Sequence, residues 1–326
     1  VRVARQALST GRDLIAARTR GERVPLLVGA AVTHACDGSC IYCRRAGASG
    51  DDLDTGTWIE LLAQMAAAGT RRVSLTGGEP LVRPDVGRLL HEARALGLVV
   101  NLNTNGLRLA RRLEEVVRAD SLTVSFDGPR DVTEALRGGG SYNRVVKGVR
   151  AAVAAGVPTS LHATLTRTNV GRVDELLDEA SGLGVRISFA PLRSVPLGHG
   201  GDADLYPGRE EMRAAVDLLI RRKLAGRTAV LNSLPCLRHL RRWPEPTPIR
   251  CAAGTIYARL EPDGTLFACG DEVLSGRGVS VLEGGFAAAF RSLGTSGCDE
   301  CWCDTRVEMN KVWALDPVAV VEAVMR

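Results

Sequence analysis

Three features of the sequence predict an α/β fold built on a parallel sheet. Short apolar, β-branched runs alternate with longer amphipathic or alanine-rich stretches from about residue 24 to 190. Glycines stand just past several of the long stretches, and capping residues stand just before others. Each interval between apolar runs is also long enough to hold the helical crossover that a parallel connection needs. An α/β barrel, complete or partial, is the natural closure.

The strand candidates are 26–32, 72–76, 98–103, 121–126, 158–165 and 185–190. Helix candidates lie near 57–68, 84–96, 109–118, 141–155 and 172–183. Asp54-Thr55 and Asn169 supply helix starts, and Gly69, Gly97 and Gly156 supply stops. Past residue 200 the rhythm changes. A helix at about 208–225 precedes the proline-rich stretch from Trp243 to Pro248. Two alternating runs then flank Pro262-Asp-Gly264 and read as a β-hairpin, and a last helix is predicted near 306–325. The expected organisation is a helical extension over 1–23, the barrel over 24–200, a connecting helix and linker over 201–250, and a small cysteine-bearing domain over 251–326.

With 45% hydrophobic and 24% charged residues in a chain of 326, the composition excludes intrinsic disorder of the whole. No apolar run approaches the roughly 18 residues needed to cross a bilayer. Arginines interrupt the first 23 residues where a signal peptide would be continuously apolar, so a cytoplasmic protein with no membrane partner is expected. The net charge of +5 is dispersed and lacks interleaved aromatics, which argues against nucleic acid as a partner.

Nine cysteines are the unusual feature. In a reducing compartment they point to metal ligation or catalysis, not disulfides. Cys36, Cys40 and Cys43 form one group, and Cys236, Cys251, Cys269, Cys298, Cys301 and Cys303 form another, so two metal centres are expected. The first group follows the first strand, at the mouth where α/β barrels keep their chemistry. Three thiolates without a fourth leave one iron of a [4Fe–4S] cube open to a substrate or cosubstrate; a zinc site missing a ligand is the alternative.

Cys36-x3-Cys40-x2-Cys43, with Tyr42 before the last cysteine, resembles the signature of the radical S-adenosylmethionine (SAM) superfamily. Thr76-Gly77-Gly78-Glu79-Pro80 resembles that family's GGEP motif, whose backbone and glutamate receive the SAM amino group. Asn103-Thr104-Asn105-Gly106 and Ser125-Phe-Asp127-Gly-Pro129 fall after the next two strands, again in the family's pattern. The resemblance implies a partial (β/α)6 TIM-like barrel and cofactor contacts at Tyr42, Gly77, Gly78, Glu79, Pro80, Ser125, Asp127, Arg137 and Leu192. Ser125 would meet the SAM ribose and Arg137 its carboxylate, although a solvated helix-end charge is the alternative for Arg137. The implied chemistry is reductive cleavage of SAM to a 5′-deoxyadenosyl radical, primed by a flavodoxin- or ferredoxin-type electron donor.

Cys251-x12-Gly264-x4-Cys269 resembles the opening of the SPASM/twitch domains appended to many such enzymes. The resemblance implies one auxiliary [4Fe–4S] cluster on Cys251, Cys269, Cys298 and Cys301, with Cys303 as the alternative to Cys301; a four-cysteine zinc site is the competing reading. No cysteine occurs between 44 and 235, and the sixth strand carries Phe189 where a hydrogen-donating thiol would stand in a related epimerase. Only 35 residues precede Cys36, too few for the leader-binding module of many peptide maturases.

The expected function is therefore that of a twitch dehydrogenase of antibiotic biosynthesis, oxidising a secondary alcohol of an aminocyclitol or aminosugar to a ketone while the auxiliary cluster accepts the second electron. An epimerase and a peptide maturase are the alternatives. Thr104, His162 and Arg193 are the catalytic candidates, with Ser74 and Thr164 also facing substrate, and Asp271, Glu272 and Glu308 are candidate partners for substrate ammonium groups.

Overall fold

Six strands joined by helical crossovers carry the chain as far as Pro191 and lay down a parallel sheet in sequence order. The structure is a computed structural model that describes residues 2–43, 50–192, 203–226, 229–273, 275–296, 298 and 300–324. Helix α1 (Arg2–Arg20) leads into β1 (Leu27–Ala31), α2 (Thr55–Ala67), β2 (Arg72–Thr76), α3 (Val86–Ala95), β3 (Val99–Thr104), the short α4 (Leu113–Val116) and β4 (Ser121–Ser125). Next come α5 (Arg130–Arg137), α6 (Ser141–Ala154), β5 (Thr159–Leu165), α7 (Val173–Gly182) and β6 (Arg186–Pro191). The remainder holds α8 (Arg209–Leu224), α9 (Leu234–Leu240), β7 (Tyr257–Leu260), β8 (Thr265–Phe267), β9 (Val279–Ser280), α10 (Gly285–Ser292), α11 (Asp304–Trp313) and α12 (Pro317–Val324).

The sheet order is β6-β5-β4-β3-β2-β1-β7-β8-β9. The two sides of each central strand differ in kind. Val73 and Leu75 on β2, Leu122 and Val124 on β4, and Leu161, Ala163 and Leu165 on β5 are buried in one core with Trp58, Leu62, Leu89, Val149 and Leu177 of the helices. The alternate positions Ser74, Thr76, Ser121, Thr123, Ser125, Ser160, His162 and Thr164 are half-buried on the opposite, inner face. Asp54 caps α2 as expected by accepting from the Thr57 amide at 2.9 Å, and Ser233 likewise caps α9 by accepting from the Cys236 amide at 3.1 Å.

The partial barrel is flanked by later segments on both sides. β7 pairs in parallel with β1, so the predicted hairpin extends the barrel's own sheet instead of making a separate one. Residues 229–231 run beside β6, exchanging bonds with Ile187. The region expected to connect barrel and tail carries α8 and α9, and α11 packs on α9 and reaches β6.

Three expectations need correction. The helix near 109–118 is confined to Leu113–Val116. The C-terminal helix near 306–325 is two helices, broken where Leu315 turns left-handed (φ 60°) and Asp316 caps α12 through the Val318 and Ala319 amides. Helices α5, α9 and α10, of eight, seven and eight residues, were not anticipated. No helix among the described residues is long and apolar enough to cross a membrane.

Candidate functional site

The loop after β1 carries Cys36, Cys40 and Cys43, and its shape is imposed by the turn after β2. Gly78 donates to the Thr33 carbonyl and Glu79 to the Ala35 carbonyl, each at 2.8 Å. A Cβ on Gly77 would come within 2.5 Å of the Thr33 carbonyl oxygen, and one on Gly78 within 2.5 Å of the His34 oxygen and against that of Ala35. Two glycines are required because two backbones touch here.

The three sulfurs turn to one region. A Cβ placed on Gly38 would lie 3.5 Å from the Cys36 sulfur and 3.9 Å from that of Cys40. Burial pushes the Cys36 thiol up, as do the nearby charges of Glu79, Cys43 and Asp37, against a bond from the Gly38 amide. Burial likewise pushes Cys40 up to about 11, with Arg137 opposing it and Cys43 and Asp127 adding to it. Three thiols close enough to feel one another's charge, with the Asn105 amide 3.8 Å from Cys36 and Arg137 3.6 Å from Cys40, fit an iron–sulfur cluster with an open iron. Among the described residues no three Cys, His, Asp or Glu side chains close on a single point as a mononuclear site would.

Glu79 and Thr104 face elsewhere than expected. The Glu79 carboxylate is fully buried and accepts from the Leu81 amide (3.0 Å), the Thr104 hydroxyl (2.8 Å) and the Asn105 amide (2.5 Å). It ties the turn after β2 to the turn after β3, and Asn105 passes the link on to Asp37 and Cys36. A carboxylate so buried and so occupied is not presented to an incoming amino group. Thr104 is also buried, its hydroxyl spent on Glu79 and on the Gly106 amide, so it does not face a substrate.

Arg137, at the end of α5, is buried with Asp127 and lies against the half-buried Tyr42. Its Nε donates to Asp127 at 2.6 Å, and Nη2 pairs with the Tyr42 hydroxyl, which itself donates to Asp127. Burial works against the guanidinium's charge, but Asp127, Tyr42 and Cys40 outweigh it and hold Arg137 above its ordinary range. Ser125 ends β4 beside His162 in the register, Pro80 is buried at the start of a short turn, and the Leu192 amide donates to Leu165 just past β6. Arg193 lies outside the described residues.

His162 faces the inner side of the sheet. Its Nδ1 is 2.9 Å from the Ser188 hydroxyl and 3.6 Å from the carboxylate of Asp304, the first residue of α11. Two residues later Arg306 lies over the Tyr257 ring, 3.5 Å from its centroid, and pairs with its hydroxyl. That hydroxyl fills the space a Cβ on Gly29 of β1 would need. The first turn of α11 therefore touches both margins of the partial barrel.

The late cysteines gather at the same place. Cys298 lies within electrostatic reach of Cys251 and Cys269, and Cys301 within reach of Cys303 and Cys269. Burial pushes the Cys301 thiol well up. Cys236 is apart: its buried sulfur sits 3.8 Å from the Asn232 amide and 3.9 Å from the Asp304 carbonyl. Of the acidic candidates, Glu308 accepts from the Ser233 amide and Glu272 is buried against Arg277, so neither is presented to a substrate; Asp271 is half-buried beside it. Sequence reasoning missed Asp304, Arg306 and Tyr257. Asp304 is flagged by its place next to Cys303, whereas the other two meet only because β7 joins β1.

The family profile described as the radical SAM superfamily matches residues 31–180. The mycofactocin maturase MftC of Mycobacterium tuberculosis is 30% identical over 294 residues, covering 84% of this chain and 72% of that protein. The PqqA peptide cyclase of Gluconobacter oxydans is 33% identical over 261 residues, covering 75% and 70%. Among solved structures, Streptococcus suis SuiB bound to its precursor peptide SuiA superposes with a TM-score of 0.69 at 18% identity, covering 86% of this chain and 68% of that one.

These relatives overturn the expected oxidation of an aminocyclitol or aminosugar, and with it the small-molecule partner and the assignment to antibiotic biosynthesis. The missing barrel thiol separates oxidation from epimerisation but says nothing about whether a sugar or a peptide is held, and the count of residues before Cys36 bears on neither. What the motifs, the cysteine loop and the relatives establish together is membership: the chain belongs to the radical SAM superfamily, whose enzymes work with SAM and a [4Fe–4S] cluster.

Proposed function

We propose that this chain is a peptide maturase, modifying a side chain of a precursor peptide by radical SAM chemistry. The observation that carries the reading is the breadth of the match to the mycofactocin maturase. At 84% of the chain it cannot be accommodated by the barrel alone and takes in much of the region after it. The similar coverage by a peptide cyclase supports the same substrate class.

In this reading Cys36, Cys40 and Cys43 hold the SAM-binding cluster. Cys251, Cys269 and Cys298, with Cys301 or Cys303, hold an auxiliary [4Fe–4S] cluster, which their mutual proximity supports. Bound together, SAM and the first cluster supply a 5′-deoxyadenosyl radical. The chain's own part is positioning. Backbone groups of Gly77 and Gly78, held rigid against the cysteine loop, receive the SAM amino group, and Ser125 faces its ribose. Ser74, Thr164, His162 and Ser188 line the inner face with hydrogen-bonding groups for a peptide side chain. Asp304 orients the His162 ring from the auxiliary side.

The test is anaerobic turnover of the reconstituted protein with SAM, a reductant and the precursor peptide encoded beside its gene. Peptide-dependent 5′-deoxyadenosine and a changed peptide mass are expected. Equal 5′-deoxyadenosine with and without peptide, and an unaltered peptide, would overturn the reading.

A further inference from the structure

The contact between Arg137 and Cys40 belongs to the first cysteine loop but is not explained by holding SAM. Arg137 Nη1 points at the Cys40 sulfur from 3.6 Å. The guanidinium cannot swing away, because Nε is fixed on Asp127 at 2.6 Å, Nη2 on the Tyr42 hydroxyl, and the cation rests 5.6 Å from the Tyr42 ring centroid. Asp127 is anchored in turn: it is fully buried and its other oxygen accepts from the Thr164 amide of β5 at 3.0 Å. The loop is pinned to the same helix end, since the Ile41 amide donates to the Leu136 carbonyl at 3.0 Å. A buried, charge-balanced guanidinium is thus held at fixed range from one thiol of the three. A cation and an N–H donor at a cluster sulfur stabilise the more negative, reduced state, because hydrogen bonds to the sulfurs and local charge set cluster potentials.

We propose that Arg137 is a positioning residue for the reduction potential of the SAM-binding cluster: clamped by Asp127 and Tyr42, it donates to the Cys40 sulfur and makes that cluster easier to reduce. The proposal rests on the reading that Cys36, Cys40 and Cys43 hold that cluster. It differs from the carboxylate contact implied by family resemblance, which bears on SAM affinity and not on the potential of a SAM-free cluster.

The experiment is a redox titration of the reconstituted full chain without SAM, followed by electron paramagnetic resonance. The signal is assigned to the first cysteine loop by its loss in C40A and its change on adding SAM. In R137Q the ratio of reduced to oxidised cluster at a fixed solution potential is expected to fall about tenfold, equivalent to about 59 mV for a one-electron couple. R137K, which keeps the charge but loses the forked geometry, should fall between R137Q and wild type, and Y42F should shift in the same direction by less.

An unshifted midpoint in R137Q overturns the proposal, as does a variant that loses SAM affinity alone. If R137Q fails to take up iron, unshifted midpoints in both R137K and Y42F overturn it. Absence of any SAM-sensitive signal from the wild type would instead overturn the underlying cysteine assignment, and the proposal with it.

Discussion

Asp304 lies 3.6 Å from His162, joining the residue after the last cysteine to the middle of β5. Asp304 is buried, and His162 is also held by Ser188 of β6 at 2.9 Å. On the opposite margin, Arg306 and Tyr257 bring the same helix turn against β1. The helix that follows the last cysteine is therefore anchored by contacts with the polar face of the barrel.

Replacing His162 by alanine should loosen this junction. The buried Ser188 hydroxyl loses its hydrogen-bond partner and the buried Asp304 carboxylate loses its imidazole neighbour, and an under-satisfied buried polar group costs about 1–3 kcal/mol. Asp304→Asn, which keeps a hydrogen-bonding side chain, should cost less. Urea denaturation midpoints measure both, and a His162→Ala protein as stable as wild type would show that the contact does not hold α11.

Glu79 predicts an unusual pH dependence. Burial pushes its carboxyl up to about 7 from the ordinary 4.5, even though the Asn105, Leu81 and Thr104 donors favour the charged form. Between those two values the folded protein binds a proton that the unfolded chain releases. The stability this group contributes is complete below about pH 4.5 and falls as pH rises through 7. Urea midpoints across that window should decline with rising pH, and Glu79→Gln should flatten the slope while destabilising the protein by about 1–3 kcal/mol, because an amide group now faces a backbone donor. An identical slope in the variant would assign the decline to other groups.

The six barrel strands were legible because each β-branched run is bounded by turn residues, and the observed limits differ from the expected ones by a residue or so. The cysteine spacings and the Gly77-Gly78-Glu79-Pro80 turn were equally plain. Helix α5 was not, because eight residues with apolar anchors at Val132 and Leu136 are too short a window for helical periodicity. The break between α11 and α12 did carry a signal: Pro317 inside an apparent helix cannot continue it and instead starts a new one after Asp316. Side-chain direction was hidden altogether. A motif shows that Glu79 and Thr104 stand at strand ends, but only the packed turns show that they face each other. Substrate class was hidden for a related reason, since Ser, Thr and His on an inner face suit a sugar and a peptide alike.

The close approach of two backbones makes Gly78 intolerant. A methyl group there would collide with the carbonyl oxygens of His34 and Ala35, which belong to the chain leading into Cys36 and have no rotamer with which to yield. Gly78→Ala should cost about 1–3 kcal/mol from overpacking and displace the cysteine loop, lowering iron uptake. Gly139→Ala is the control: nothing lies within 4 Å of its Cβ position. Equal iron uptake by the two variants would mean that the turn does not shape the loop.

Cys236 and Cys269 should separate cleanly under substitution. Cys236 is wholly buried, its sulfur beside Asn232 and the Asp304 carbonyl, whereas Cys269 lies within electrostatic reach of Cys298, Cys301 and Arg306. Cys269→Ser should lower the iron content of reconstituted protein by about half, since a cube usually takes four cysteines. Cys236→Ser should retain the iron and lower stability by about 1 kcal/mol, because a small buried hydrophobe is exchanged for a hydroxyl. Iron assay and thermal unfolding of the two proteins side by side give the answer. Matching losses of iron would place Cys236 among the ligands and return the late group to six members.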